Sequence, residues 1–189
     1  MEKSQTSSVT GNKSKVFSMV LTALMAAILC ATAPIALPIG PVPVSLATFV
    51  LYIIVVLLGW KLGTLSCLLY LLIGLVGVPV FSGYAAGPAK LFGPTGGYLI
   101  GYILLTLIAG FFCDKFKGKI YMYAIGMVIG TAALYTLGTA WLAFQAHMTL
   151  SAALAAGVIP FLAGDAAKIV VSLIFAPIIK KQLVKAGLL

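Results

Sequence analysis

The chain has no arginine, a single histidine and three acidic residues, Glu2, Asp114 and Asp165, in 189 positions. Charged residues amount to 8%, against about 25% in soluble domains. Without arginine there is no forked donor for bidentate phosphate recognition. The formal charge of +9 therefore does not read as a nucleic-acid surface, and no nucleic-acid partner is expected. No HExxH segment occurs, and the one histidine, His147, reads as an interfacial residue rather than a member of a Ser-His-Asp set. No GxxxxGK[ST] segment occurs, so the chain does not bind ATP through a P-loop. Cys30, Cys67 and Cys113 sit in or beside apolar runs without metal-ligand spacing, and read as small packing residues. No catalytic set, metal site or cofactor is expected.

Apolar residues are abundant, at 62% of the chain. Too little polar surface remains to cover a globule, so the reading is an all-α integral membrane protein. Six runs approach the roughly 20 residues that cross a bilayer: Val16–Ala33, Ser45–Trp60, Gly63–Val80, Gly97–Cys113, Ile120–Ala146 and Leu162–Ile179. They do not alternate as barrel strands would. Gly74, Gly77 and Pro79 make the outer end of the third run irregular, and Thr149–Pro160 reads as a short interfacial helix. Ala31-Thr32-Ala33 resembles a signal-peptidase site, but Pro34 follows at once, so the first helix is read as retained. Residues 1–14 form a polar cytoplasmic tail, and 15–189 a single six-helix membrane domain.

The lysines orient this domain. With six spans, Lys3, Lys13, Lys15, Lys61, Lys115, Lys117, Lys119, Lys180, Lys181 and Lys185 all fall on one side. Only Lys90 falls on the other, and Lys168 lies within a span. Cytoplasmic loops carry the excess of lysine, so both termini are expected in the cytoplasm of a cell-membrane protein.

Three constellations could carry function. Asp165 and Lys168, at i and i+3, share one face of the last apolar helix. An unpaired charge there costs at least about 2.5–3.5 kcal/mol, and intramembrane ionisable residues are functional candidates by default. The plain alternative is an ion pair that joins helices. In GPTGGYLIG, Gly93–Gly101, Thr95 is placed to cap the fourth helix, while Gly96 and Gly97 allow close backbone approach. Its free N–H groups could receive an anion, or Gly97 and Gly101 could serve helix packing alone. Ala23, Ala27 and Ala31 recur every four residues on the first helix, a stripe that admits a close neighbour, internal or foreign.

PVPV (Pro41–Val44), VPVFSG with GPAKLFGPTGGYLIGY (Val78–Tyr102) and GDAAK (Gly164–Lys168) together resemble the BioY family. These are the biotin-specific substrate-binding (S) components of energy-coupling-factor (ECF) transporters. The resemblance runs from about residue 16 to the C-terminus. It implies a six-helix fold that binds one biotin from outside, in a bacterial plasma membrane. It also implies partnership with a transmembrane coupling protein and two ATPase subunits, met through the alanine stripe. Biotin carries ureido donors and an acceptor, an apolar body and a carboxylate. Asp165 and Lys168 can complement the ureido ring. Tyr84, Phe92, Tyr98 and Phe81 can form the wall. Lys90, or the N–H groups of Thr95–Gly97, can take the carboxylate. The alternatives are an S component for another small vitamin, a self-contained carrier using Asp165 as its proton site, and a structural subunit without ligand.

Overall fold

The computed structural model describes residues 3–37 and 42–186, with side chains from Val16 onward. Pro41 of the PVPV stretch lies outside the described residues. The elements run α1 (Lys3–Thr32), β1 (Ala36–Leu37), β2 (Val44–Ser45), α2 (Ala47–Leu75), α3 (Pro88–Leu91), α4 (Gly96–Lys115), α5 (Ile120–Gln145), α6 (Leu150–Gly157) and α7 (Ile159–Lys185). Four helical stretches are long and apolar enough to cross a membrane: α2, α4, α5 and the combined Leu150–Lys185. Val16–Thr32 is a shorter apolar helix.

The helix bounds bear on two expectations. Residues 3–14, read as a polar tail, belong to α1. Once the apolar turns are formed, each further residue adds a hydrogen bond without a new nucleation cost. The second and third apolar runs are joined in α2, but Gly59 interrupts it at φ 72°, ψ −167°, a backbone region open essentially to glycine alone.

The chain turns back at Gly59. A methyl added at Gly63 would lie 3.6 Å from the Val55 Cα, although eight residues of continuous helix span about 12 Å. Both ends of α2 also meet the same neighbours. Leu46 donates its N–H to Ile35 O at 3.3 Å, Gly83 donates to Pro34 O at 3.0 Å, and Gly87 donates to Gly74 O at 2.8 Å.

This turn exposes helix-end groups that an apolar interior cannot leave bare. In a continuous helix, the Trp60 N–H would donate to Val56 O. Instead it donates to Asp114 Oδ2 at 3.0 Å, and Val56 O accepts from Lys180 Nζ at 2.6 Å. The carboxylate thus caps the start of one half-helix and the ammonium caps the end of the other, each with the sign that the helix dipole favours. Through them, α4 and α7 are fastened to the turn in α2.

Small residues set the α4–α5 contact. Methyl groups at Gly97, Gly126 and Gly138 would collide with Trp141, Phe112 and Tyr98 respectively. A buried hydrogen bond of 2.6 Å between the Tyr52 and Thr131 hydroxyls joins α2 to α5. At the opposite end from Gly59, β1 and β2 pair antiparallel, Ala36 with Ser45 and Leu37 with Val44. Thr149 caps α6, its side chain accepting from Ala152 N at 3.3 Å. That helix occupies the segment expected to form a short one.

Gly59→Ala is expected to destabilise the protein, since the new methyl would land on the Asp114 carboxylate at a backbone angle hostile to side chains. Asp114→Ala removes one cap, worth about 1 kcal/mol, or roughly 2–4 °C in a chain of this size. Thermal unfolding in detergent measures both. A parental midpoint for Gly59→Ala would contradict the turn described here.

Candidate ligand-binding site

Four elements meet near the end of the molecule opposite Gly59. Asp165 lies in the second turn of α7 and is 5% exposed. Lys168 lies one turn further on, its Nζ 2.9 Å from Asp165 Oδ1. The ammonium also donates to Ser45 O on β2 at 2.9 Å and to Thr48 Oγ1 on α2 at 3.0 Å. Thr48 in turn donates to Asp165 Oδ1 at 3.1 Å. Tyr135 on α5 donates to Asp165 Oδ2 at 2.5 Å.

All three ammonium donors are therefore used. A carboxylate has about four lone-pair sites; three are filled here, leaving room for one further bond at Oδ2. The pair needs this cage, since separating either charge from it would leave the other buried and uncompensated.

The cage borders a small cavity of about 40 Å³, and Tyr98, Tyr102, Tyr135 and Phe161 form its aromatic wall. Val42, Pro43 and Ser45 close it on the β2 side, and Gly157 closes it at the end of α6. Tyr98 is anchored by its hydroxyl, which donates to Gly157 O at 3.1 Å. Pockets for small ligands hold about 300–1,000 Å³. On the other side of Tyr135 and Asp165 lies a second, apolar space of about 410 Å³, lined by Val128, Leu162 and Ile169. The arrangement offers an acceptor and a donor side by side, backed by aromatic rings.

Asp165, Lys168 and Tyr98, picked out from the sequence, thus meet at one cavity. The other candidates lie elsewhere. Tyr84 (69% exposed) and Phe92 (57% exposed) project outward, and neither lines the cavity. Phe81 is fully buried, edge-on to Tyr70 with centroids 5.5 Å apart. It fills the gap above Gly74 and belongs to the core. Thr95 makes no side-chain cap to α4. Gly96 and Gly97 abut Leu91 O and Trp141, so their close approach serves packing rather than the cavity. The GPTGG turn is instead held by α5, through Trp141 Nε1 to Gly93 O (3.0 Å) and Gln145 Nε2 to Phe92 O (2.5 Å). Lys90 is half-buried on α3 outside the cavity, and burial lowers its pKa.

Sequence reasoning missed Ser45, Thr48, Tyr102, Tyr135 and Phe161. Tyr135 and Thr48 were detectable as polar residues inside apolar runs that need partners. The alanine stripe is also resolved. Ala23, Ala27 and Ala31 are exposed, while Leu21, Thr22, Ala26 and Leu29 turn inward. The α1–α2 seam uses that inner face, where Ser66 Oγ donates to Thr22 O at 3.0 Å.

Helices that bury an acid–base pair beside an aromatic cavity define a membrane-embedded protein built to hold a small polar molecule. The chain belongs to the BioY family, which it matches over residues 3–185. It is 36% identical over 161 residues to "Biotin transporter BioY2" of Lactococcus lactis subsp. cremoris, covering 85% of this chain and 88% of the relative. It is 36% identical over 163 residues to "Biotin transporter BioY" of Thermotoga maritima, covering 86% and 95%. A solved structure, the S-component for biotin from an ECF-type ABC transporter, superposes with a TM-score of 0.84 at 30% identity. That match covers 90% of this chain and 94% of the other.

Lys168→Ala is expected to lower stability by about 3–5 kcal/mol, because it strands a buried carboxylate. The double variant Asp165→Asn with Lys168→Gln removes both charges and should recover much of that loss. Denaturation in detergent compares them. A double variant no more stable than Lys168→Ala would show that the stranded charge is not the cause.

Proposed function

We propose that this chain is the biotin-capturing S component of an ECF-type uptake transporter. The observation that carries the reading is the caged Asp165–Lys168 pair opening onto an aromatic cavity, in a chain whose relatives are named biotin transporters. Asp165 accepts from the ureido N–H groups, and Lys168 donates to the ureido oxygen. Tyr98, Tyr102, Tyr135 and Phe161 enclose the rings. Tyr84, Lys90 and Phe92 stand on the outer loop and reach the ligand's tail only when that loop folds over it, Lys90 toward the carboxylate.

The break at Gly59 supports counting α2 as two spans, which makes six in all. The lysine excess at the Gly59 end supports placing that end and both termini in the cytoplasm of a bacterial plasma membrane. The exposed alanine stripe is the face offered to a transmembrane coupling protein, which two ATPases drive. No P-loop occurs in this chain, so the ATP-hydrolysing step is assigned to those partners.

Titration of the purified protein with biotin tests the central reading. A charge-assisted hydrogen bond is worth about 1.5–3 kcal/mol, so Asp165→Asn is expected to weaken binding by roughly one to two decades. If Asp165→Asn and Lys168→Ala bound biotin like the parent while losing stability, the pair would only join helices. Ala27→Trp should leave biotin binding intact and weaken assembly with the coupling protein. Normal assembly would exclude the stripe as the partner face. A cysteine at Lys185, on a cysteine-free background, should react with an impermeant reagent only in inverted vesicles. Labelling in intact cells would reverse the orientation.

A further inference from the structure

A second opening lies at the Gly59 end, far from the Asp165 cage. It measures about 700 Å³, and Lys117, Lys180, Lys181 and Lys185 line it with Asp114 as the single carboxylate. Asp114 and Lys180 are already engaged as caps of the broken α2. Among the described residues the one ion pair is Asp165–Lys168, so Lys117, Lys181 and Lys185 make no ion pair with any described carboxylate. All three are exposed. They come from two separate places, the α4–α5 connection and the last turns of α7, and converge on one concavity.

The rest of the lining is apolar. Leu57 and Leu58 form the floor beside the α2 break, with Ile120 and Val184 on the flanks. Ile120 (51%) and Val184 (53%) expose large apolar surfaces directly beside the lysines. A phosphate-bearing anion satisfies the lysines whether it is free or part of a lipid. The apolar flanks give a free anion nothing and give acyl chains a contact. Basic recesses between the ends of membrane helices suit anionic headgroups.

We infer that this recess is a binding site for an anionic phospholipid, with its headgroup phosphate among Lys117, Lys181 and Lys185 and its chains along Ile120 and Val184. The α1 alanine stripe contributes nothing to it, so lipid and coupling protein occupy different faces.

The test uses the full chain, purified in neutral detergent and mixed with equimolar dimyristoyl phosphatidylglycerol and phosphatidylcholine. Lipid retained on the protein is read by native mass spectrometry. Each lysine that faces the bound headgroup contributes about fivefold to anionic-lipid binding. The triple variant Lys117→Gln, Lys181→Gln, Lys185→Gln is therefore expected to bind phosphatidylglycerol about a hundredfold more weakly. The control Lys61→Gln with Lys119→Gln changes two lysines outside the recess and should retain it. Lys180 stays unaltered because it caps α2. Equal retention of the two lipids by the parent, or parental retention by the triple variant, would overturn the site. Displacement of phosphatidylglycerol by millimolar inorganic phosphate would overturn the lipid in favour of a free anion. If the triple variant lost assembly with the coupling protein and not lipid, the lysines would serve an acidic protein surface instead, and the inference would fail.

Discussion

The pair of Asp165 and Lys168, buried and half-buried, holds together the half of the molecule opposite Gly59. Lys168 reaches β2 and α2, and Asp165 reaches α2 and α5. Three helices and a short strand converge on two charges that cannot exist there alone. Polar cages of this kind are costly when incomplete and rigid when complete. The cage therefore dictates where α7 sits against α2, and so where the aromatic wall stands. The other half obeys the same rule at Gly59, where a carboxylate and an ammonium replace the backbone bond that the turn removes.

Much of this was legible in the sequence, for physical reasons. Apolar run length reports the helices because a bilayer has a fixed thickness. An i,i+3 acid–base pair in such a run has to meet itself or a partner, which is why Asp165 and Lys168 stood out. The return of α2 at Gly59 was implied by two runs separated by so short a connection. The caps on that turn were hidden. Asp114 and Lys180 lie 54 and 124 residues from the atoms they satisfy, and local spacing says nothing about such distances.

The loops at the end opposite Gly59 were less legible. Tyr84, Phe92 and Phe81 are all aromatics in one loop, yet two face outward and one is core. Aromatic content signals burial without saying against what. Thr95, Gly96 and Gly97 had the signature of a capped, anion-ready helix start. The same small residues serve equally to let Trp141 pack close, and the structure uses them for that. Tyr135 went unnoticed because a tyrosine in an apolar helix looks like filling until its hydroxyl is traced to Asp165.

If the molecule enters at this pair, as proposed, the closed set of bonds has a consequence for discrimination. Its ammonium donors are all engaged and Asp165 keeps one open acceptor site, so a molecule that makes more than one bond to the pair exchanges bonds rather than adding them. A compound offering only an acceptor would engage Lys168 and desert Asp165. One offering only donors would do the reverse. Either would have to break a contented pair and leave half of it stranded in an apolar wall. Only a molecule presenting both, at the spacing of the two side chains, replaces what it disrupts. On that reading the protein acts as its own competitor, and rejection of near-misses is set by the bonds that Asp165 and Lys168 make to each other and to Ser45, Thr48 and Tyr135.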